Sequence, residues 1–273
     1  MGGTFVSGDP VATPLATTPE DTSAQRRVMN VFMIVDTSGS MSGAKIGSVN
    51  QAIRETLPEL ANVQRIQPGV EIRLALMSFN SAAKWITPLP EPVDRTTFVN
   101  FSAGGGTNAA LAFDLLSDKL SRKAFMNAVG GHYAPLILFL SDGESSGGWE
   151  SKLDKLRANR WYQCATRVAI AAGKEATTPE AMRLFKEFTE NSEMIIYADE
   201  PDKIKSFIVL VSVHASKWNS SHATPGAVGG NAAAANTGGS APNPIAQDMQ
   251  NKTPDWWKDL KNKVTFPALP PIN

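Results

Sequence analysis

The chain has one cysteine, Cys164, in 273 residues. That excludes a disulfide framework, and a cysteine-rich metal site with it. A single thiol of this kind reads as a small buried hydrophobe rather than a nucleophile. Histidine is scarce too: His132, His214 and His222 are too scattered to make a helical metal-binding pair. Neither sign of charge is in excess, since Lys+Arg and Asp+Glu are 26 each. Nothing in that balance calls for nucleic acid or an anionic membrane as partner. Residues 1–20 hold no basic stretch ahead of an apolar core, so no secretory signal is expected. The longest apolar runs fall far short of a membrane span. The expectation is a soluble, cytoplasmic protein.

What is present is an ordinary globular share of hydrophobic residues, 42%, distributed unevenly along the chain. Residues 1–27 are rich in Gly, Pro, Thr and Ser and read as an irregular arm. Residues 28–217 carry the apolar periodicities of a folded domain. Residues 218–253 are dominated by Asn, Ser, Ala, Gly and Pro and read as a flexible linker. Residues 254–273 contain Trp256 and Trp257, which have no core of their own and read as a docking segment, in cis or in trans.

Within the domain, strands and helices are expected to alternate. Residues 29–35 form the first strand, and 45–62 a helix whose stripe is Ile46, Val49, Ile53, Leu57 and Leu60. Pro58 falls near the expected end of that helix. Residues 70–79 read as a strand and 83–86 as its antiparallel hairpin partner. Pro88, Pro90 and Pro92 mark an extended connection. A helix is expected over 108–123, with Leu111, Phe113, Leu115, Leu116 and Leu120 on its apolar face. The unbroken apolar run before Ser141 and Asp142 is a central strand. Helices over 149–159, 179–190 and 201–215 alternate with strands over 165–171 and 193–197. In the last helix Ile204, Phe207, Ile208 and Val211 should face inward. This pattern predicts a doubly wound α/β fold: a mostly parallel sheet, helices on both faces, and one antiparallel edge strand.

The unusual chemistry lies at strand ends. Val31–Val35 is wholly apolar and stops at Asp36, followed by Thr37-Ser38-Gly39-Ser40. The 136–140 run likewise stops at Ser141-Asp142-Gly143. Thr107 follows three glycines, 104–106, directly before a helix. In a doubly wound sheet these loops converge on one edge. Two carboxylates, Asp36 and Asp142, then meet three hydroxyls, those of Ser38, Ser40 and Thr107. An all-oxygen set suits Mg²⁺ or Mn²⁺, Ca²⁺ less well, and disfavours Zn²⁺. Each residue also has a plainer explanation. Asp142-Gly143 could be a turn, Ser38 or Ser40 could cap the following helix, and Thr107 could cap its own.

The ordered set Asp36-x-Ser38-x-Ser40, then Thr107, then Asp142 resembles the metal-ion-dependent adhesion site of von Willebrand factor A domains, over about residues 28–215. The resemblance implies that all five residues ligate a divalent metal, the hydroxyls directly and the acids often through water. It also implies that an Asp or Glu from a partner protein completes the coordination. Asp36 through Met41, the Ser102–Thr107 loop, Leu140 through Glu144, and Phe185 with Phe188 are further similar to bacterial tellurium-resistance Y type proteins. That narrower likeness implies a cytoplasmic stress-response role. The arm, the linker and the Trp256-Trp257 tail depart from the compact form of that subfamily.

The alternative is a metal-dependent phosphatase or hydrolase with Asp36 as phosphoryl acceptor. Such enzymes usually place a second acid two residues later, where this chain has Ser38, so the general acid is missing. A dinucleotide-binding glycine turn and a P-loop are absent as well. The sequence therefore favours a non-enzymatic binding module.

Overall fold

The computed structural model describes residues 1–2, 26–67, 69–143, 145–198, 202–203, 206, 208–209 and 211–213. The expected linker, the Trp256-Trp257 segment and nearly all of the N-terminal arm lie outside the described residues.

A mostly parallel sheet forms the centre. Its strands are β1 (Arg27–Asp36), β2 (Val70–Phe79), β3 (Ala83–Trp85), β4 (Glu91–Pro92), β5 (Leu136–Ser141), β6 (Thr166–Ala172) and β7 (Ile195–Ala198). They run in the order β3-β2-β1-β5-β6-β7, with β4 also on β2. β1 pairs in parallel with β2 and β5, and β6 in parallel with β5 and β7. Only the β3 and β4 pairings with β2 are antiparallel. The expected edge hairpin is therefore present. β4 is an addition: the proline-marked connection touches down briefly at Glu91–Pro92, at a sheet edge, where a missing N–H is tolerated.

The helices are α1 (Ala44–Ile66), α2 (Ala109–Lys119), α3 (Trp149–Arg157), α4 (Arg160–Cys164) and α5 (Pro179–Thr189). Successive residues of β1 point to opposite faces, and both faces are apolar. Met29, Val31, Met33 and Val35 pack with Val49, Ile53 and Leu60 of α1. Phe32 and Ile34 pack on the other side with Phe113 and Leu116 of α2, Leu153 of α3, and Phe185 and Phe188 of α5. Phe139 of β5 anchors that second layer, its ring centroid 5.0 Å from Phe188 and 5.4 Å from Phe113.

Three expectations need correction. α1 runs to Ile66 rather than 62, straight through Pro58. Pro58 and the residue four before it, Arg54, are both exposed. The carbonyl deprived of its partner therefore lies on the solvent side, and the helix can continue. α2 stops at Lys119 rather than 123, and turns carry the chain through Phe125 and Met126, both buried. Leu111, assigned to the apolar face of α2, is 39% exposed. In the last expected helix, Ile208 and Val211 are buried, whereas Ile204 and Phe207 lie outside the described residues. Among the described residues no helix is long and apolar enough to cross a membrane.

Near the N-terminal end of β1, away from the acid-tipped loops, His132 makes a parallel bridge to Val28. Its Nε2 accepts from the Ala128 amide at 2.9 Å, and its carbonyl accepts from Arg27. Burial, then the charges of Arg73, Arg122 and Arg27, lowers its pKa to about 4. The unfolded chain takes up this proton near pH 6.5, and the folded chain only near 4. His132 therefore costs no stability above pH 6.5 and costs progressively more below it, about 2–3 kcal/mol by pH 4. Urea melts of His132→Gln and wild type should run parallel from pH 7 to 8. Below pH 6.5 the wild type should lose stability relative to the variant.

Candidate functional site

The C-terminal ends of β1 and β5 are adjacent in the sheet, which brings Asp36 and Asp142 together. Both side chains are fully buried. Three loops then lock around them. The Gly39 amide donates to the Gly105 carbonyl at 2.9 Å, and the Gly104 amide to the Thr37 carbonyl at 2.8 Å. A Cβ on Gly39 would sit 3.3 Å from the Gly105 oxygen, so this close approach suits glycine. The Ser146 amide and hydroxyl both donate to the Thr107 carbonyl, each at 2.9 Å. The loop after β2 supports the glycine-rich loop from the far side. Asn80 Nδ2 donates to the Gly104 carbonyl, and the Gly106 amide donates to Ser81 Oγ.

Hydrogen bonds fix the first acid. Asp36 Oδ1 accepts from the Ser38 amide at 2.8 Å, and Oδ2 accepts from Ser141 Oγ at 2.6 Å. Ser141 Oγ in turn accepts from the Gly143 amide at 2.9 Å. Burial pushes the Asp36 carboxyl up to about 6; the bonds from Ser141 and Ser38 pull against this, and the nearby Asp142 charge adds to it. Ser38 and Ser40 place their hydroxyl oxygens 3.0 Å apart.

The second acid is held less completely. Asp142 Oδ2 lies 3.5 Å from Lys45 Nζ, while Oδ1 is buried with no hydrogen-bond partner. A buried carboxylate oxygen left unpaired is costly, because it has given up water for nothing.

The plainer explanations of the hydroxyls do not match the local geometry. α1 begins at Ala44 with Gly43 as its N-cap and no side-chain cap, and Ser38 makes no capping hydrogen bond. α2 is capped by Asn108, which accepts from the Leu111 amide, and not by Thr107. The Thr107 side chain makes no hydrogen bond among the described residues. Gly143, with φ of 85°, does form a turn, but that turn also delivers an amide to Ser141. Ser38, Ser40 and Thr107 line a cleft of about 860 Å³ that continues past Ser145–Gly147 to Trp149, Glu150 and Arg183. Arg183 lies over the Trp149 ring and pairs with Glu150. The five sequence-derived residues thus gather at one end of the sheet. The three hydroxyl residues line the cleft; the two acids lie beneath its surface.

Among the described residues, no three His, Cys, Asp or Glu side chains form a metal-holding group. A cation here would have to draw on hydroxyls as well as acids. Hydroxyl and carboxylate oxygens, one of them buried and unpartnered, are the donors a hard divalent cation takes. Two residues escaped the sequence reading. Ser141, which ties Asp36 to the Gly143 turn, was signalled only as the polar residue that closes the apolar β5 run directly before Asp142. Lys45 looked like any surface residue of a first helical turn.

No protein-family model and no curated protein matches the chain. Solved structures do resemble it. A von Willebrand factor type A protein from Catenulispora acidiphila is similar with TM-score 0.51 and 13% identity, over 70% of this chain and 43% of that one. The pilus adhesin SpaC from Lactobacillus rhamnosus GG gives TM-score 0.55 and 12% identity, over 71% of this chain and 31% of that one. Proximal thread matrix protein 1 from the mussel byssus, solved with a zinc-occupied MIDAS motif, gives TM-score 0.50 and 12% identity, over 70% and 48%. This chain spans less than half the length of each. At such identities the likeness establishes the fold, which is of the von Willebrand A type.

Proposed function

We propose that this chain is a metal-dependent protein-interaction module. In this reading Asp36, Ser38, Ser40, Thr107 and Asp142 hold a divalent cation, and an Asp or Glu carboxylate of a partner protein completes its coordination. The observation that carries the reading is Asp142 Oδ1, a buried carboxylate oxygen without a partner beside the buried Asp36. When bound, the cation would offer a hard Lewis-acidic centre to an anionic ligand. The chain's own residues do the rest. Ser141 and the Ser38 amide hold Asp36 in one orientation. The Gly39–Gly105 and Gly104–Thr37 bonds fix the loops, and Ser146 holds the Thr107 backbone. The likeness in fold to SpaC, an adhesin, supports an interaction role. Mg²⁺ or Mn²⁺ is the preferred cation on donor chemistry, although the mussel neighbour carries zinc.

The proposed setting is a cytoplasmic stress response of the tellurium-resistance type, and it rests on the sequence resemblance alone. A non-catalytic role is favoured because the groups bonded to Asp36 are a hydroxyl and an amide. Neither of them is an acid able to protonate a leaving group.

The test is mass-action linkage. At a hundred times its Kd, a ligand of the folded state stabilises by about 2.7 kcal/mol, a rise in Tm of about 5–10 °C for a domain of this size. Wild type titrated with Mg²⁺ or Mn²⁺ should show it and lose it with EDTA. Thr107→Ala should melt like metal-free wild type and gain nothing from metal. An equal metal shift in both proteins defeats the site assignment. Asp36-dependent turnover of a phosphoester with Mg²⁺ defeats the non-catalytic role.

A further inference from the structure

Lys45 occupies the first turn of α1, yet it is not an ordinary surface lysine. Its side chain is 19% exposed, and its Nζ lies 3.5 Å from Asp142 Oδ2 and 2.8 Å from Glu175 Oε2. Among the ion pairs of the described residues, the one with Asp142 alone involves a fully buried carboxylate. The surroundings are shaped for this side chain. Gly173, at the end of β6, has φ of 86°, and a Cβ there would come within 2.7 Å of Lys45 Cε and 2.9 Å of its Nζ. Glu175 then clamps the ammonium from the solvent side. Elements from three parts of the chain thus build a slot that delivers one positive charge to one oxygen of Asp142. The other oxygen, Oδ1, stays uncommitted.

We propose that Lys45 is a resident counter-cation and positioning residue for Asp142. It neutralises the buried carboxylate when no metal is bound, orients it by Oδ2 with Oδ1 left uncommitted, and weakens divalent-cation affinity so that the metal exchanges. The affinity part rests on the metal-site reading given above; the pairing with Asp142 does not. The physical argument has two sides. Removing one partner of a buried ion pair leaves an uncompensated charge, which strongly destabilises the fold. A fixed ammonium close to a cation site repels a divalent ion, and more strongly at low dielectric than in water. Both effects act in one direction on metal binding. Without Lys45, the metal-free state is worse and the metal-bound state is better.

The experiment uses Lys45→Met, with Lys45→Gln as the milder neutral variant and Lys45→Arg as the charge-conserving control. Melting is followed in metal-stripped protein, and Mg²⁺ and Mn²⁺ are titrated calorimetrically. Lys45→Met should melt lower than wild type by about 5 °C or more without metal. Both neutral variants should bind the cation about tenfold tighter or more, and Lys45→Arg should stay near wild type. In an Asp142→Asn background the melting penalty of Lys45→Met should largely vanish, because the charge it served is gone. Unchanged or weaker metal binding by the neutral variants overturns the affinity role. A melting penalty that persists undiminished in the Asp142→Asn background overturns the counter-cation role. If no form binds metal, the site reading fails together with the affinity role, while the Lys45–Asp142 coupling in metal-free protein is still decided by the double-mutant cycle.

Discussion

Gly143→Ala is expected to cost about 2–5 kcal/mol, the sum of a left-handed backbone penalty of about 1–2 kcal/mol and an overpacking cost of about 1–3 kcal/mol. Gly143 has φ of 85°, and an added Cβ would lie 2.2 Å from Ala181 Cβ, 2.9 Å from Ala181 Cα and 3.2 Å from Phe185 Cε2. The first contact could be relieved by a flexible partner. Ala181 is not one: it is fully buried in α5, whose neighbouring Phe185 and Phe188 are packed on Phe139. The turn must move instead. When it moves, the Gly143 amide leaves Ser141 Oγ, and Ser141 is the donor to Asp36 Oδ2. Destabilisation and loss of metal response should therefore appear together. Chemical denaturation at 25 °C measures the first, and metal titration well below the variant's Tm measures the second. Pairing Gly143→Ala with Ala181→Gly should recover only part of the loss, because the contact with the Ala181 Cα and the backbone strain both remain. Full recovery would mean that the positive φ matters little here; wild-type stability in the single variant would mean that the turn is soft and the site loosely held.

The Gly143 case shows how far the sequence alone could reach. The acid-tipped strands were legible because burial on both faces leaves a plain signal: Val31–Val35 and Leu136–Leu140 have no polar interruption, so Asp36 and Asp142 stand out at their ends. The mostly parallel sheet and the convergence of the loops on one edge followed from the alternation of strands and helices. The remaining features depend on contacts between residues far apart in the chain. Lys45 lies 97 positions from Asp142 and 130 from Glu175, and no local pattern links them. Whether Ser38, Ser40 and Thr107 serve as caps is decided by where each helix begins. α1 starts later, at Ala44 after its cap Gly43, and α2 takes Asn108, the residue after Thr107, as its cap. A shift of one residue in a helix start changes the meaning of a hydroxyl, and propensity does not resolve boundaries that finely. Pro58 misled for a related reason. Its helix-breaking effect depends on whether the orphaned carbonyl can reach water, which is a property of the face and not of the sequence window.

Asp36→Asn should make the metal-free protein more stable while abolishing its response to metal. The sign follows from linkage. The Asp36 pKa is raised to about 6 from 3.8 in the folded state, so the folded chain binds more protons than the unfolded chain between those values. Stability contributed by this carboxyl is present below about pH 4 and is lost as pH rises through 6. At pH 7.5 the ionised, buried Asp36 therefore opposes folding, by up to about 3 kcal/mol on the scale of 1.36 kcal/mol per pH unit. Asn removes the charge but replaces one acceptor oxygen with a donor. It can still accept from the Ser38 amide, while the Ser141 hydroxyl must turn to accept rather than donate. The net gain at pH 7.5 should be about 1–2 kcal/mol after that loss. It should shrink and vanish as pH falls toward 4, where wild-type Asp36 is protonated too. Thr107→Ala provides the contrast, since it should lose the metal response with no gain in metal-free stability: its side chain is uncharged and only half-buried. Melting each protein at pH 7.5 and pH 4.5, with EDTA and with Mg²⁺, separates the two effects. A stabilised, metal-silent Asp36→Asn identifies a carboxylate kept buried for a cation against the interest of the fold. An Asp36→Asn variant less stable than wild type at pH 7.5 would instead make Asp36 a structural anchor, held in place by Ser38 and Ser141 for the sake of the loops.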